Sequence, residues 1–199
     1  MYDERMSQIQ TPESHSQGHR KLTYDDLLLF PDDGQRHEII DGEHYVSPCP
    51  SVRHQELVGR LYFEIELWLR QHPGSGRAFV APLDVVLTLC DVVEPDVLFV
   101  AEDQDILTEK NVRGAPALVI EVLSAGTRRT DEQIKRKLFA REGVREYWLV
   151  DPTRRALTLY RRQADGSFSR QASLTCDAGD RLTTPLLPGL AIALRALFA

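Results

Sequence analysis

Between Val52 and Trp68 the apolar residues Leu57, Leu61, Ile65 and Trp68 recur at spacings of three and four. That period predicts an amphipathic helix, and His72-Pro73-Gly74 ends it. Downstream the pattern shortens into β-branched and aromatic runs at Ala78 to Ala81, Leu83 to Leu89 and Val97 to Val100, divided by Pro82, Asp91 and Pro95. These predict strands. Ala117 to Leu123 is apolar throughout except for Glu121, as in a strand covered on both faces. A helix-like segment from Thr130 to Glu142 follows, and Tyr147 to Val150 predicts a second buried strand.

Upstream, Thr23 caps a short helix that runs through Phe30, with Asp25 and Asp26 in its positively polarised first turn. Arg36 to Ile40 and Glu43 to Ser47 then read as two strands about an Asp41-Gly42 turn. Near the end, Leu157 to Arg161 and Phe168 to Leu174 predict antiparallel strands, and Leu186 to Phe198 closes the fold. Strand, helix, strand after a run of hairpins predicts an α/β fold with a mixed sheet flanked by helices.

The 199 residues, 42% of them hydrophobic, suffice for one well-buried core. Residues 21–199 are expected to form a single domain behind a loose polar tail over 1–20, which reads as neither a secretory signal nor a transit peptide. The longest apolar runs fall far short of the roughly 20 residues a membrane span needs, so no span is expected. Cys49, Cys90 and Cys176 are far apart and form no C-x-x-C pair, which argues against a disulfide framework or structural zinc and fits a reducing cytoplasm. A formal net charge of -6 excludes passive polycation binding of nucleic acid, so any such contact must be local. Thr127 to Arg145 supplies seven basic residues against three acidic ones, a local excess of +4. Arg128, Arg129 and Arg136 are its candidate phosphate contacts, against the alternative of a solvated helix face.

Glu121 carries the most information. A lone buried carboxylate needs a partner, a raised pKa or a metal, so a paired strand carboxylate and a metal ligand both stay open. Glu94-Pro95-Asp96 adds a carboxylate at a strand start. An acidic residue at a strand start, then one inside a later apolar strand, is how a sheet brings two carboxylates onto one Mg²⁺, which favours oxygen ligands and retains several waters. Lys135 lies, at about 100° per residue, within the arc of Ile134, Leu138 and Phe139, whereas Arg136 and Lys137 point away. Snorkelling or an i,i+4 pair with Asp131 would account for it. The same placement would aim an ammonium at a carboxylate-metal site, to orient a water or offset charge on a phosphorane.

Six stretches together resemble the Uma-type family of restriction-endonuclease-like proteins, within the PD-(D/E)xK nuclease superfamily. They are Glu38-Ile39-Ile40-Asp41-Gly42-Glu43, Arg53-His54-Gln55, Ala81 to Leu87, Glu94-Pro95-Asp96, Leu118 to Ser124, and Ala140 to Asp151. The resemblance runs from about residue 22 to 198. It implies a restriction-endonuclease-like fold, a Mg²⁺ or Mn²⁺ cofactor, DNA as substrate and a homodimer. It also implies Asp96 and Glu121 as metal ligands, with Glu38 as an additional acidic member or else a salt-bridged residue beside the hairpin. One departure stands out: the signature lysine two residues after Glu121 is replaced by Leu123. The resemblance moves that lysine to Lys135 on the following helix, with Lys137 the lesser match.

Two functions therefore follow: a metal-dependent endonuclease cutting DNA phosphodiesters, or a catalytically inactive nuclease fold that binds nucleic acid or a protein partner, which Leu123 keeps open. His54 matches a recurrent family position, yet a lone histidine early in a helix is more often a capping or packing residue. His15 and His19 fall in the tail and carry no assignment. His37-Glu38 is no H-E-x-x-H motif, because position 41 is Asp41. Gly74-Ser75-Gly76 is too short for a phosphate loop, and no nucleotide-binding fingerprint is present.

Overall fold

The computed structural model describes residues 20–199, so most of the predicted tail, with His15 and His19, lies outside the described residues. The chain begins with α1 (Tyr24–Leu27), where Thr23 and Asp26 form a reciprocal capping box. Past Leu27 the turn tightens through Leu29 N–H to Asp26 and Phe30 N–H to Leu27, so the predicted helix is shorter than expected. The hairpin β1 (Arg36–Ile40) and β2 (Glu43–Ser47) has the expected limits. Asp41 and Gly42 both take positive φ, 53° and 82°, as a tight two-residue hairpin turn requires.

Helix α2 (Val52–Gln71) buries Leu57, Leu61, Ile65 and Trp68 as the period predicts, and also His54. Strands β3 (Gly76–Val80), β4 (Val85–Thr88), β5 (Asp91–Val93), β6 (Val97–Ala101), β7 (Val112–Arg113) and β8 (Leu118–Val122) follow. Asp91, read from sequence as a divider, begins a strand instead. Its buried carboxylate accepts from Thr88 Oγ1, the Asp41 N–H and Arg141, which offsets the cost of burial. After a π turn (Thr130–Lys135) come α3 (Arg136–Glu142), β9 (Glu146–Asp151), β10 (Ala156–Arg162) and β11 (Phe168–Thr175). The chain closes with β12 (Arg181–Thr184), β13 (Leu187–Ala193) and α4 (Leu194–Leu197).

Among the described residues the strands form three sheets, and the largest is mixed, as expected. Six lie in the order β11-β10-β9-β8-β6-β3, five in the order β2-β1-β5-β4-β7, and β12 and β13 pair alone. The large sheet is mixed, with β8 and β9 parallel and its other pairs antiparallel. Alternate residues of β8 divide its two faces. Leu118, Ile120 and Val122 join α2, α4 and the β12-β13 hairpin in one core, while Val119 and Leu123 join α3 and the five-stranded sheet in the other. Glu121 therefore faces the second core, between Val119 and Leu123. Among the described residues no helix is long and apolar enough to cross a membrane.

Candidate active site

The site begins with a strand register. Strand β6 pairs antiparallel with β8, Val97 opposite Ile120. One step further sets Asp96 opposite Glu121, and residues facing each other across an antiparallel pair share a face. The Asp96 N–H donates to Glu121 Oε2 at 3.3 Å, and the Val122 N–H donates to Asp96 Oδ2 at 2.8 Å. Both side chains line one open cleft of about 570 Å³ whose walls are Ser47 to Ser51 and Ser124 to Arg128. Lys135, Asp131, Arg36 and His54 line it too.

Lys135 enters from the π turn. Tyr147, fully buried, donates its hydroxyl to the Asp131 carbonyl at 3.2 Å, and a side chain satisfying a backbone oxygen in this way accommodates the i→i+5 widening. The α-helical angle assumed from the sequence does not hold there, yet Lys135 is still buried with Leu138 and Phe139. Its ammonium lies 2.8 Å from Glu38 Oε1, 2.9 Å from Glu121 Oε1 and 3.6 Å from Asp131 Oδ1. The i,i+4 pair with Asp131 is present, and the same ammonium also reaches Glu38 and Glu121. Lys137 is exposed, and Arg136 lies half-buried over the Tyr160 ring.

Three further residues complete the cluster. Arg36 Nη1 donates to Asp96 Oδ1 at 2.8 Å, and His54 Nε2 sits 3.1 Å from Asp96 Oδ2. Asp131 is 2% exposed, and its Oδ1 has no hydrogen-bond partner among the described residues. The sequence held a signal for two of them. Arg36 precedes Glu38 by two residues on a strand, and His54 precedes Leu57 by three on the buried helix face, so each shares its neighbour's side. His54 is buried in the first turn of α2, as a packing residue would be, and its ring also contacts Asp96.

The electrostatics are unbalanced. Burial works to raise Asp96, but the His54 hydrogen bond and charge, Arg36 and the Val122 N–H outweigh it and hold the carboxyl at about 2. Burial pushes Glu121 well above the usual carboxylate range, Asp96, Asp131 and Glu38 push the same way, and Lys135 opposes them. Burial also raises Asp131, against Lys135 and a Thr127 hydrogen bond. For Lys135 burial works to lower the pKa, but Glu121, Glu38 and Asp131 override it, so the ammonium stays protonated at neutral pH. Four buried carboxylates (Glu38, Asp96, Glu121 and Asp131) thus face two fixed cations, Lys135 and Arg36. Two net negative charges remain: a proton on Glu121 would offset one of them, and a divalent cation would offset both.

A hard divalent cation would suit this all-oxygen excess of negative charge, and Asp96 and Glu121 are the residues that could hold it. Among the described residues no three His, Cys, Asp or Glu side chains form a ready ligand set. A cation there would draw its remaining ligands from water or a phosphate.

The sequence-predicted basic residues do not converge on the same cleft. Arg128 lines it but is held by Asp151 at 2.9 Å and Glu132 at 3.1 Å. Arg129 is exposed. Arg136 lines a neighbouring groove with Arg154 and Arg170, which meets the cleft at Leu123.

A family model described as "Putative restriction endonuclease" matches residues 23–195. The chain belongs to the Uma2 family. An uncharacterized protein of Synechocystis sp. is 26% identical to this Uma2 chain over 183 residues, which span 89% of the chain and 92% of that protein. A crystal structure of "a putative nuclease belonging to DUF820" from Anabaena variabilis superposes with a TM-score of 0.72 at 22% identity. It covers 89% of this Uma2 chain and 97% of that one, so the two share one mixed α/β, restriction-endonuclease-like fold.

Proposed function

We propose that this chain is a divalent-metal-dependent endonuclease that hydrolyses DNA phosphodiesters, with residues 21–199 as one catalytic unit and Mg²⁺ or Mn²⁺ as cofactor. The observation that carries the reading is the convergence of Asp96, Glu121 and Lys135 on one open cleft. Family membership supports it independently.

In this reading Asp96 and Glu121 hold the cation, which when bound supplies a Lewis acid and an activated water. Arg36 and His54 fix the orientation of Asp96 through their contacts with its two oxygens. Lys135 remains protonated and so acts as a fixed positive charge rather than a base, beside the oxygen atoms on which charge builds as water attacks phosphorus. Glu38 and Asp131 hold that ammonium in place. As the water oxygen bonds phosphorus and gives up a proton to solvent, one phosphorus–oxygen ester bond breaks and the leaving oxygen takes a proton from solvent. Arg129 and Arg136 are the proposed phosphate contacts, with Arg154 and Arg170 extending them along the neighbouring groove, while Arg128 is engaged by Asp151 and Glu132.

The second reading, a nuclease fold that binds without cutting, is favoured by Leu123 in place of the signature lysine. Incubation with supercoiled plasmid and with single-stranded DNA, in Mg²⁺, Mn²⁺ or EDTA, separates the two. Metal-dependent nicking that Asp96→Asn abolishes supports the nuclease. Retained DNA binding with no cleavage under either metal supports the binding module.

A further inference from the structure

Helix α2 carries a second stripe, on the side away from the core. Val52, Phe63 and Leu67 are 78%, 62% and 42% exposed. Glu56, Gly59 and Arg70 lie on the same exposed face. Steps of three and four residues keep all six within a narrow arc opposite Leu57, Leu61 and Ile65. Gly59 is unexpected in the middle of a helix, where glycine weakens the helical state. A Cβ there would meet nothing within 4 Å among the described residues, so no contact with them requires a glycine. Gly59 and Phe63 instead border a shallow groove of about 270 Å³ between α2 and α4.

We infer that this stripe is the interface between two copies of the chain, with the α2 helices antiparallel about a two-fold axis at Phe63. In such a pair, residues equally far from the axis on opposite sides meet across the interface. Phe63 then packs against its own counterpart. Leu67 and Gly59 lie four residues to either side, so each Leu67 covers the other copy's Gly59, where the missing side chain lets the helices approach closely. Glu56 and Arg70 lie seven residues to either side and meet as opposite charges at both ends. Arg70 is 81% exposed, and among the described residues its one charged contact is Glu66 at 4.0 Å. Glu56 is 47% exposed and has Arg53 as its present partner at 3.0 Å.

Charge selects this register. Moving the axis to residue 61 would set Phe63 over Gly59, but it would also oppose Glu56 and Glu66, two like charges. The interface does not depend on the nuclease reading. If that reading holds, the two copies of His54 lie about 27 Å apart along the helix direction, so the clefts sit toward opposite ends of the joined helices.

The test is sedimentation equilibrium of the full chain across about 1 to 200 µM, a range suited to a small interface. Wild type is expected to dimerise with a dissociation constant on the order of 10 µM. Phe63→Glu and Gly59→Leu should each weaken the dimer at least about tenfold. Glu56→Arg and Arg70→Glu should each weaken it less, and the double exchange should restore wild-type association to within about threefold. Circular dichroism melts check that each variant is folded, and the charge exchange carries the test should Phe63→Glu or Gly59→Leu fail to fold. A monomer throughout the range, a dimer indifferent to Phe63→Glu, or a double exchange without recovery would each overturn the interface.

Discussion

The ammonium of Lys135 lies 2.9 Å from Oε1 of Glu121, and both side chains are only 3% exposed. Breaking a buried pair by removing one partner leaves the other charge uncompensated, at a cost of about 3 to 5 kcal/mol. Lys135→Met should therefore lower the unfolding free energy at pH 7 by roughly that amount in urea titrations. Adding Glu121→Gln should recover part of the loss. Cleavage separates packing from chemistry: both variants should stay about 10²-fold or more below wild type, by analogy with loss of a preorganised charge stabiliser. Lys137→Ala, on the exposed face, should change neither stability nor cleavage. A Lys135→Met protein that cuts at the wild-type rate would remove Lys135 from the mechanism.

Cation binding can be read without turnover. Calorimetric titration with Mn²⁺ should show affinity at least about tenfold weaker in Asp96→Asn and in Glu121→Gln, because each removes an anionic oxygen donor. Lys135→Met should bind as well or slightly better, since it removes a nearby positive charge. Wild-type affinity in Asp96→Asn would place the cation elsewhere.

Glu94 makes stability depend on pH. Burial pushes its carboxyl up to about 7 from 4.5, Asp84 and Glu38 add to the rise, and Arg36 and Lys135 oppose it. A carboxyl raised in the fold contributes stability that is fully present below pH 4.5 and is lost as pH rises through about 7. In EDTA, Glu94→Gln should match wild type near pH 4.5 and become the more stable of the two by pH 8, by about 2 to 3 kcal/mol. Parallel stability curves for the two proteins across that interval would contradict the shift.

DNA binding should be carried by the arginines that remain available to phosphate. Arg129 is exposed and Arg154 is 77% exposed, whereas Arg128 is already paired with Asp151 and Glu132. Arg129→Glu combined with Arg154→Glu should weaken binding in fluorescence anisotropy and flatten its salt dependence, by about 0.9 in log–log slope for each phosphate no longer neutralised. An unchanged slope would make these residues a solubilising surface.

Much of this fold is legible in local pattern, because side-chain period and turn sterics act over a few residues. The β1-β2 hairpin, helix α2 and strands β8 and β9 follow from such signals. Strands β5, β7 and β12, of two to four residues, do not. Segments that short are held by pairing with partners distant in the chain rather than by intrinsic propensity. The division into three sheets is likewise a long-range outcome.

The candidate site divides in the same way. Glu121 and Lys135 stand out in the chain because each places a charge among apolar positions, and Asp96 because it opens a strand after a turn. Arg36 and His54 share the side of a buried neighbour and Asp131 stands four residues before Lys135, but no local pattern joins any of them to Asp96 or Glu121. Their part in the cluster exists only because a hairpin strand, the first turn of α2 and a π turn meet at the end of β6. Composition and spacing alone determined that buried charges require partners. Tertiary structure decided which partners they found, through the register that sets Val97 opposite Ile120. A slip of one residue would turn Asp96 and Glu121 to opposite faces of the sheet, because strand side chains alternate with a period of two.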